Sequence, residues 1–239
     1  LLQGYLDGPG SPAWWNGADA VGRYLKLHLN APVLVVGGRR VHDPLRKTAL
    51  LEHPTFPRSS VQNLGWVDGE LLAHQLPGWL PRPLIEAVGR RAYGFWVTTE
   101  DGSHPDNRVL PGDGTAPPRL DYDPTRIPVA EAEHQRLLRT LRRQFAGQGL
   151  VAFPRRLPLE GTAHACGTCR TGDDPATSVV DPVGRIHGLD NGYVADGSAL
   201  PRSSRVNPGL TIHAWALRVA DHLARNPARG NPTADKEAA

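Results

Sequence analysis

The clearest hydrophobic signal is Val33-Leu34-Val35-Val36, an unbroken apolar run that stops at Gly37-Gly38 and predicts a buried strand ending in a turn. Phe95-Trp96-Val97-Thr98-Thr99 is aromatic and β-branched and predicts a second strand, and His104-Pro105-Asp106-Asn107 predicts a turn after it. From Gln75 to Ala87 the chain is apolar but interrupted by Pro77, Pro81 and Pro83, so only Leu84 onward suits a helix. A helix is predicted over Pro128 to Phe145. Leu137, Leu138, Leu141 and Phe145 form one stripe on it, opposite Arg136, Arg139 and Arg143. Glu131 and Glu133 stand near its start, where they complement the helix dipole, and Gly147 closes it. The arginines suit a solvated face.

Three zones follow. Residues 1–160 form a substrate or cap region of strands and long loops. Residues 161–225 hold the informative motifs. Residues 226–239 are polar, with Pro227, Gly230 and Pro232, and suit a disordered tail.

Composition adds few constraints. The chain has 239 residues, enough for a sizeable core, and its 26 Gly and 23 Pro fit a loop-rich α/β protein better than a helical bundle. The formal net charge of +3, with arginines scattered rather than clustered, gives no case for nucleic acid as a partner. No apolar run approaches the roughly 18 residues a bilayer-spanning helix needs. The chain opens on Leu1-Leu2-Gln3 and contains no Met, so a start within a longer protein is expected. No signal-peptide pattern is present at that start, and a cytoplasmic setting is expected.

Candidate chemistry lies in the second zone. His164-Ala165-Cys166-Gly167-Thr168-Cys169-Arg170 places a histidine and two cysteines around a glycine turn. Cys166-x-x-Cys169 suits half a zinc site, a redox pair or two incidental buried thiols. Zinc needs about four ligands, and no second cysteine pair exists. Gly172-Asp173-Asp174-Pro175 breaks the helix that a thioredoxin-type pair would open, so incidental thiols and no metal are expected. Tyr193-Val194-Ala195 predicts a short strand running into the turn Asp196-Gly197-Ser198, whose amides can approach a ribitol or pyrophosphate closely. Asn207-Pro208-Gly209-Leu210 suits a helix start with Asn as N-cap and Pro as first helical residue, its free amides facing an anion or simply water.

Taken in order, five runs carry a more specific signal. They are His164-x-x-Gly167-Thr168-Cys169-Arg170-x-Gly172-x-Asp174-Pro175, Ser178-Val179-Val180-Asp181, Gly184-Arg185-Ile186-His187-Gly188-Leu189, Tyr193-Val194-Ala195-Asp196-Gly197-Ser198 and Asn207-Pro208-x-Leu210-Thr211-Ile212. Together they resemble the C-terminal signature of the glucose–methanol–choline (GMC) oxidoreductases. Weaker echoes occur in Val21-Gly22-Arg23-Tyr24-Leu25-Lys26-Leu27-His28 and Pro105-Asp106-Asn107-Arg108-Val109. Thr171, Gly192 and Gly209 depart from the residues usual in the family and bear on local packing more than on chemistry.

The resemblance implies an α/β fold: the last part of a FAD/NAD(P)-binding-type fold plus a substrate-domain sheet, incomplete without an N-terminal Rossmann segment. It implies FAD as cofactor and oxidation of an alcohol or sugar CH–OH group by hydride transfer to the flavin. His164 would be the base toward the substrate hydroxyl, and Asn207 would hydrogen-bond the same oxygen. Asp196 and Gly197 would contact FAD near its ribitol and phosphates. The helix start at Asn207, Pro208 and Gly209 would face the flavin pyrimidine ring through the free amides that follow Pro208, and the ring's negative charge on reduction suits a helix N-terminus. An imidazole, titrating near neutrality, suits the proton step.

No Gly-x-Gly-x-x-Gly occurs, so the nucleotide end of FAD is expected to need a further N-terminal segment, in cis or as a separate chain. Two other readings are an interaction subunit completing a split flavoenzyme and a binding module without turnover.

Overall fold

The computed structural model describes residues 19–42, 47–67, 69–74, 76–112, 116–162 and 164–226. Gln75 and the polar tail after Asn226 lie outside them.

The chain builds a mixed α/β structure. Its largest sheet has five antiparallel strands in the order β2-β3-β4-β1-β7. These are β1 (Leu29–Val36), β2 (Leu50–Leu51), β3 (Ser59–Trp66), β4 (Ala92–Thr99) and β7 (Val151–Pro154). Two short helices, α1 (Gly69–Ala73) and α2 (Arg82–Gly89), lie between β3 and β4. A two-stranded ribbon, β5 (Arg108–Leu110) with β6 (Arg119–Asp121), precedes the long helix α3 (Pro128–Gly147). The last helix is α4 (Gly209–Arg225).

Both strands expected from the apolar pattern are present, at the centre of the sheet. Alternation along β1 places Ala31, Val33 and Val35 on one face, where they meet Val61, Val97 and Ala152. The predicted stripe of α3 closes this core with Leu137 and Leu138, flanked by Leu141 and Phe145. Pro32 sits in a central strand, normally a poor place for proline. It lies opposite Arg155, one residue beyond the end of β7, where its carbonyl accepts from the Arg155 amide at 3.0 Å. A bulge in β3 between Asn63 and Gly65 uses the left-handed backbone of Gly65 (φ 81°).

Several local expectations are corrected. Helix α2 begins at Arg82 rather than Leu84, because Pro83 falls in the first turn, where no internal N–H bond is needed. Helix α3 runs on through Gly147, and the left-handed residue after it is Gly149 (φ 71°). Glu133 does more than complement a dipole: it is buried and accepts from the Arg58 amide (2.9 Å) and the Ser59 hydroxyl (2.8 Å). Tyr193–Ala195 is no sheet strand. Tyr193 makes one bridge to Arg185, and the Val194 carbonyl accepts from the Trp215 indole N–H of α4 at 2.9 Å, so a side chain takes the place of a neighbouring strand.

A second core of Ala20, Val21, Val179, Val180, Ile186 and Ala199, with Trp215 at its edge, holds the loops of the last third together under α4.

Candidate active site

The sheet face opposite α3 carries a different set of side chains. Asn30 of β1, Gln62 and Leu64 of β3 and Trp96 of β4 line a cavity of about 350 Å³, with Gln62 and Trp96 directly opposite each other across the strands. The remaining wall comes from Lys47, Gly161, His164 and Asn207. His164 and Asn207, far apart in sequence, thus share one cavity.

The loop bearing His164 is fixed from two sides. On one, Cys166 and Lys26 exchange both backbone hydrogen bonds (2.9 and 3.0 Å). On the other, the Cys169 amide donates to Ser198 O (2.8 Å) and the Thr171 amide to Ala199 O (2.9 Å). Gly167 permits the approach: with φ at 88°, a Cβ there would stand 2.4 Å from Tyr24 O. His164 itself is left-handed (φ 71°), a conformation uncommon outside glycine.

The segment leading to Asn207 is tied to the sheet. Arg202 makes a bidentate pair with the buried Glu100 (2.7 and 2.6 Å). The Ser203 hydroxyl donates to Asp101 (2.7 Å), and Ser60 of β3 donates to Arg205 O (2.6 Å). Asp101, just past β4, also accepts from the Leu27 amide (2.5 Å) and the Tyr122 hydroxyl (3.0 Å). Burial raises its carboxyl to about 6, against the opposing pull of these three donors and Lys26. The buried Lys26 ammonium donates to Tyr24 O (2.9 Å), and burial lowers it to about 8.

Helix α4 begins one residue later than expected. Pro208 is its N-cap, its carbonyl accepts the first helical bond from the Ile212 amide (2.8 Å), and no side chain caps the end. Asn207 is therefore not the capping residue, and its exposed side chain is free to face the cavity. Asp196 caps a short turn, Gly197–Ala199, accepting from the Ser198 amide (2.8 Å). A Cβ on the buried Gly197 would lie 3.2 Å from Ala165 O and 3.0 Å from Ile212 of α4. The Asp196–Gly197 turn therefore adjoins both the His164 loop and the first turn of α4.

Cys166 is fully buried, and burial pushes its thiol up to about 11; Cys169 is raised for the same reason. Among the described residues no three potential metal ligands gather. No described helix is long and apolar enough to cross a membrane.

Asn30, Gln62 and Trp96 were not singled out in the sequence. The available signal was the period-2 alternation of β1 and β4, which puts Asn30 and Trp96 on the face that Val33 and Val97 do not share.

Fold and site define a class: an antiparallel-sheet lobe joined to a loop-rich segment ending in a helix, as found in solved oxidases. Pyridoxine 4-oxidase from Mesorbium loti superposes with TM-score 0.57 at 22% identity, covering 87% of this chain and 44% of that one. Formate oxidase from Aspergillus oryzae RIB40 gives 0.60 at 16%, covering 87% and 48%. Residues 112–216 match the family described as GMC oxidoreductase, so this stretch is similar to the C-terminal portion of that family.

Among curated relatives, 6'''-hydroxyparomomycin C oxidase of Streptomyces lividus is 40% identical over 55% of this chain and 26% of its own length. Paromamine 6'-oxidase of Streptomyces fradiae is 41% identical over 54% and 25%. Cholesterol oxidase of Mycobacterium tuberculosis is 34% identical over 46% and 19%. The chain spans about a quarter of the length of the first two.

Proposed function

We propose that this chain supplies the alcohol-binding lobe and the proton-handling pair of a FAD-dependent oxidoreductase acting on CH–OH groups. The observation that carries the reading is the shared cavity of His164 and Asn207. A base that takes a hydroxyl proton and an amide that orients the same oxygen must converge on one point. His164 is assigned the proton, held at a ring nitrogen, and Asn207 a hydrogen bond to the substrate oxygen. Bound FAD would supply the hydride acceptor for the carbinol carbon, a chemistry the side chains themselves lack.

The residues present suit that cofactor. The amides of Gly209, Leu210 and Thr211 have no acceptor within the helix, and a Cβ on Gly209 would meet nothing within 4 Å, so the helix start is open to a ligand. In this reading Asn207, Pro208 and Gly209 hold the flavin's pyrimidine edge, and Asp196 and Gly197 its ribitol and phosphate portion. The adenine end falls to a segment beyond these residues, in cis or on a separate chain.

A polyhydroxylated alcohol suits the cavity best. Trp96 offers an apolar face for a ring, while Asn30, Gln62 and Asn207 offer amides for its hydroxyls. The names of the two Streptomyces relatives point the same way.

The test is the flavoenzyme that carries this chain, with His164→Ala. Flavin bleaching by alcohol should slow by roughly a hundred- to ten-thousandfold with FAD still bound. Bleaching at the normal rate would remove His164 from the role of base.

A further inference from the structure

We propose that His28 is a positioning residue for His164: a buried, neutral imidazole whose ring holds the second one in a single orientation. The inference rests on His164 being the base.

The register of the backbone brings the two together. Lys26 and Cys166 form an antiparallel bridge. Two residues on from Lys26 is His28, and two back from Cys166 is His164, so the same register sets the histidines opposite each other. Their ring centroids are 5.6 Å apart and the rings meet edge to face, at 66°. Such a contact attracts when the rings are neutral, whereas two imidazolium ions at this distance repel.

His28 is 1% exposed. Its Nε2 lies 2.8 Å from Ser203 O, and a carbonyl only accepts, so Nε2 carries the proton. The neutral ring then has its lone pair on Nδ1, which is buried and finds no partner among the described residues. A second proton there would create a buried cation with an unmet N–H. The charged and titratable neighbours are otherwise engaged. At the end of β4, Glu100 is held by Arg202, and Asp101 by Leu27, Tyr122 and Ser203. On its own segment, Lys26 turns to Tyr24 O. Across a cavity of about 510 Å³ that His28 lines lie Tyr122, Arg155 and Arg156, the last paired with Glu131. Burial, reinforced by the nearby His164, keeps His28 below the ordinary imidazole range, although the backbone at Ser203 and Ser204 and the charge of Glu100 act the other way.

Ser203 thus serves both halves of the site. It anchors the His28 ring through its carbonyl, and it belongs to the tethered segment that leads to Asn207.

Nitrogen-15 histidine labelling of the full chain, read by long-range proton–nitrogen correlation, tests the proposal without turnover. His28 should give one neutral tautomer with the proton on Nε2, unchanged between about pH 8 and about pH 5.5. His28→Leu, which removes the ring, should broaden or double the His164 ring signals, while His28→Phe, which keeps an aromatic face, should leave one set. In the flavoenzyme, His28→Leu should slow alcohol-driven bleaching by roughly ten- to a hundredfold through misplacement of the base. A His28 that becomes protonated in that pH range, or a single unchanged set of His164 signals in the Leu variant, would overturn the proposal. If the Leu variant does not fold, the tautomer in the unmutated chain decides. A normally active His164→Ala enzyme would instead refute the base assignment and leave the spectra unaffected.

Discussion

Asp101→Asn should make the chain more stable than the parent at neutral pH and remove a pH dependence from its stability. The carboxyl is buried beyond the end of β4, with a folded value near 6 against an ordinary 3.8. A raised folded value means that the native state binds the proton more tightly than the unfolded chain. Between about 3.8 and about 6 the native state therefore carries more protons, and stability falls as pH rises through that window and levels off above it. At about 1.4 kcal/mol per pH unit, the gap corresponds to at most about 3 kcal/mol.

Asparagine keeps an oxygen for the Leu27 amide and the Tyr122 hydroxyl. Its NH₂ faces the Ser203 hydroxyl, which can rotate to accept. Urea unfolding of parent and variant between about pH 4 and about pH 8 measures the difference directly. It should move toward the variant by up to about 3 kcal/mol across the window. Asp101→Ala, which leaves the Leu27 amide without its acceptor, should cost about 1–3 kcal/mol throughout. A parent–variant difference that stays constant with pH would refute the reasoning.

The remaining expectations concern the two other motifs. Asn207→Ala should lower alcohol turnover of the flavoenzyme yet leave the chain's unfolding free energy within about 0.5 kcal/mol, because no side chain caps α4. A loss near the ~1 kcal/mol typical of a removed cap would contradict the geometry. Cys166, held near 11 rather than 9, should have about a hundredfold less thiolate at pH 8 than an ordinary thiol. Its alkylation in the folded chain should be slower by at least that factor and recover in urea; rapid native labelling would argue against a buried, protonated thiol.

Periodicity alone determined the strands at Val33–Val36 and Phe95–Thr99 and the helix from Pro128, because their apolar positions repeat at the spacing their own backbone requires. The ordered runs from His164 to Ile212 carried the resemblance that the family match over residues 112–216 bears out, since spacing among glycines, prolines and polar residues is a property of the sequence itself. What periodicity could not determine was who pairs with whom. Sequence propensity made Asn207 a cap and Tyr193–Ala195 a strand. In the fold, Pro208 takes the cap position and the Trp215 indole occupies the acceptor that a strand would have used.

Asn30, Gln62 and Trp96 became a cavity wall only when three strands aligned in register, and His28 acquired a partner only through the bridge between Lys26 and Cys166. Each of these depends on contacts between residues distant in the chain. Local pattern carries little information about such contacts, because the free energy that selects them comes from burial and hydrogen bonding across the whole fold.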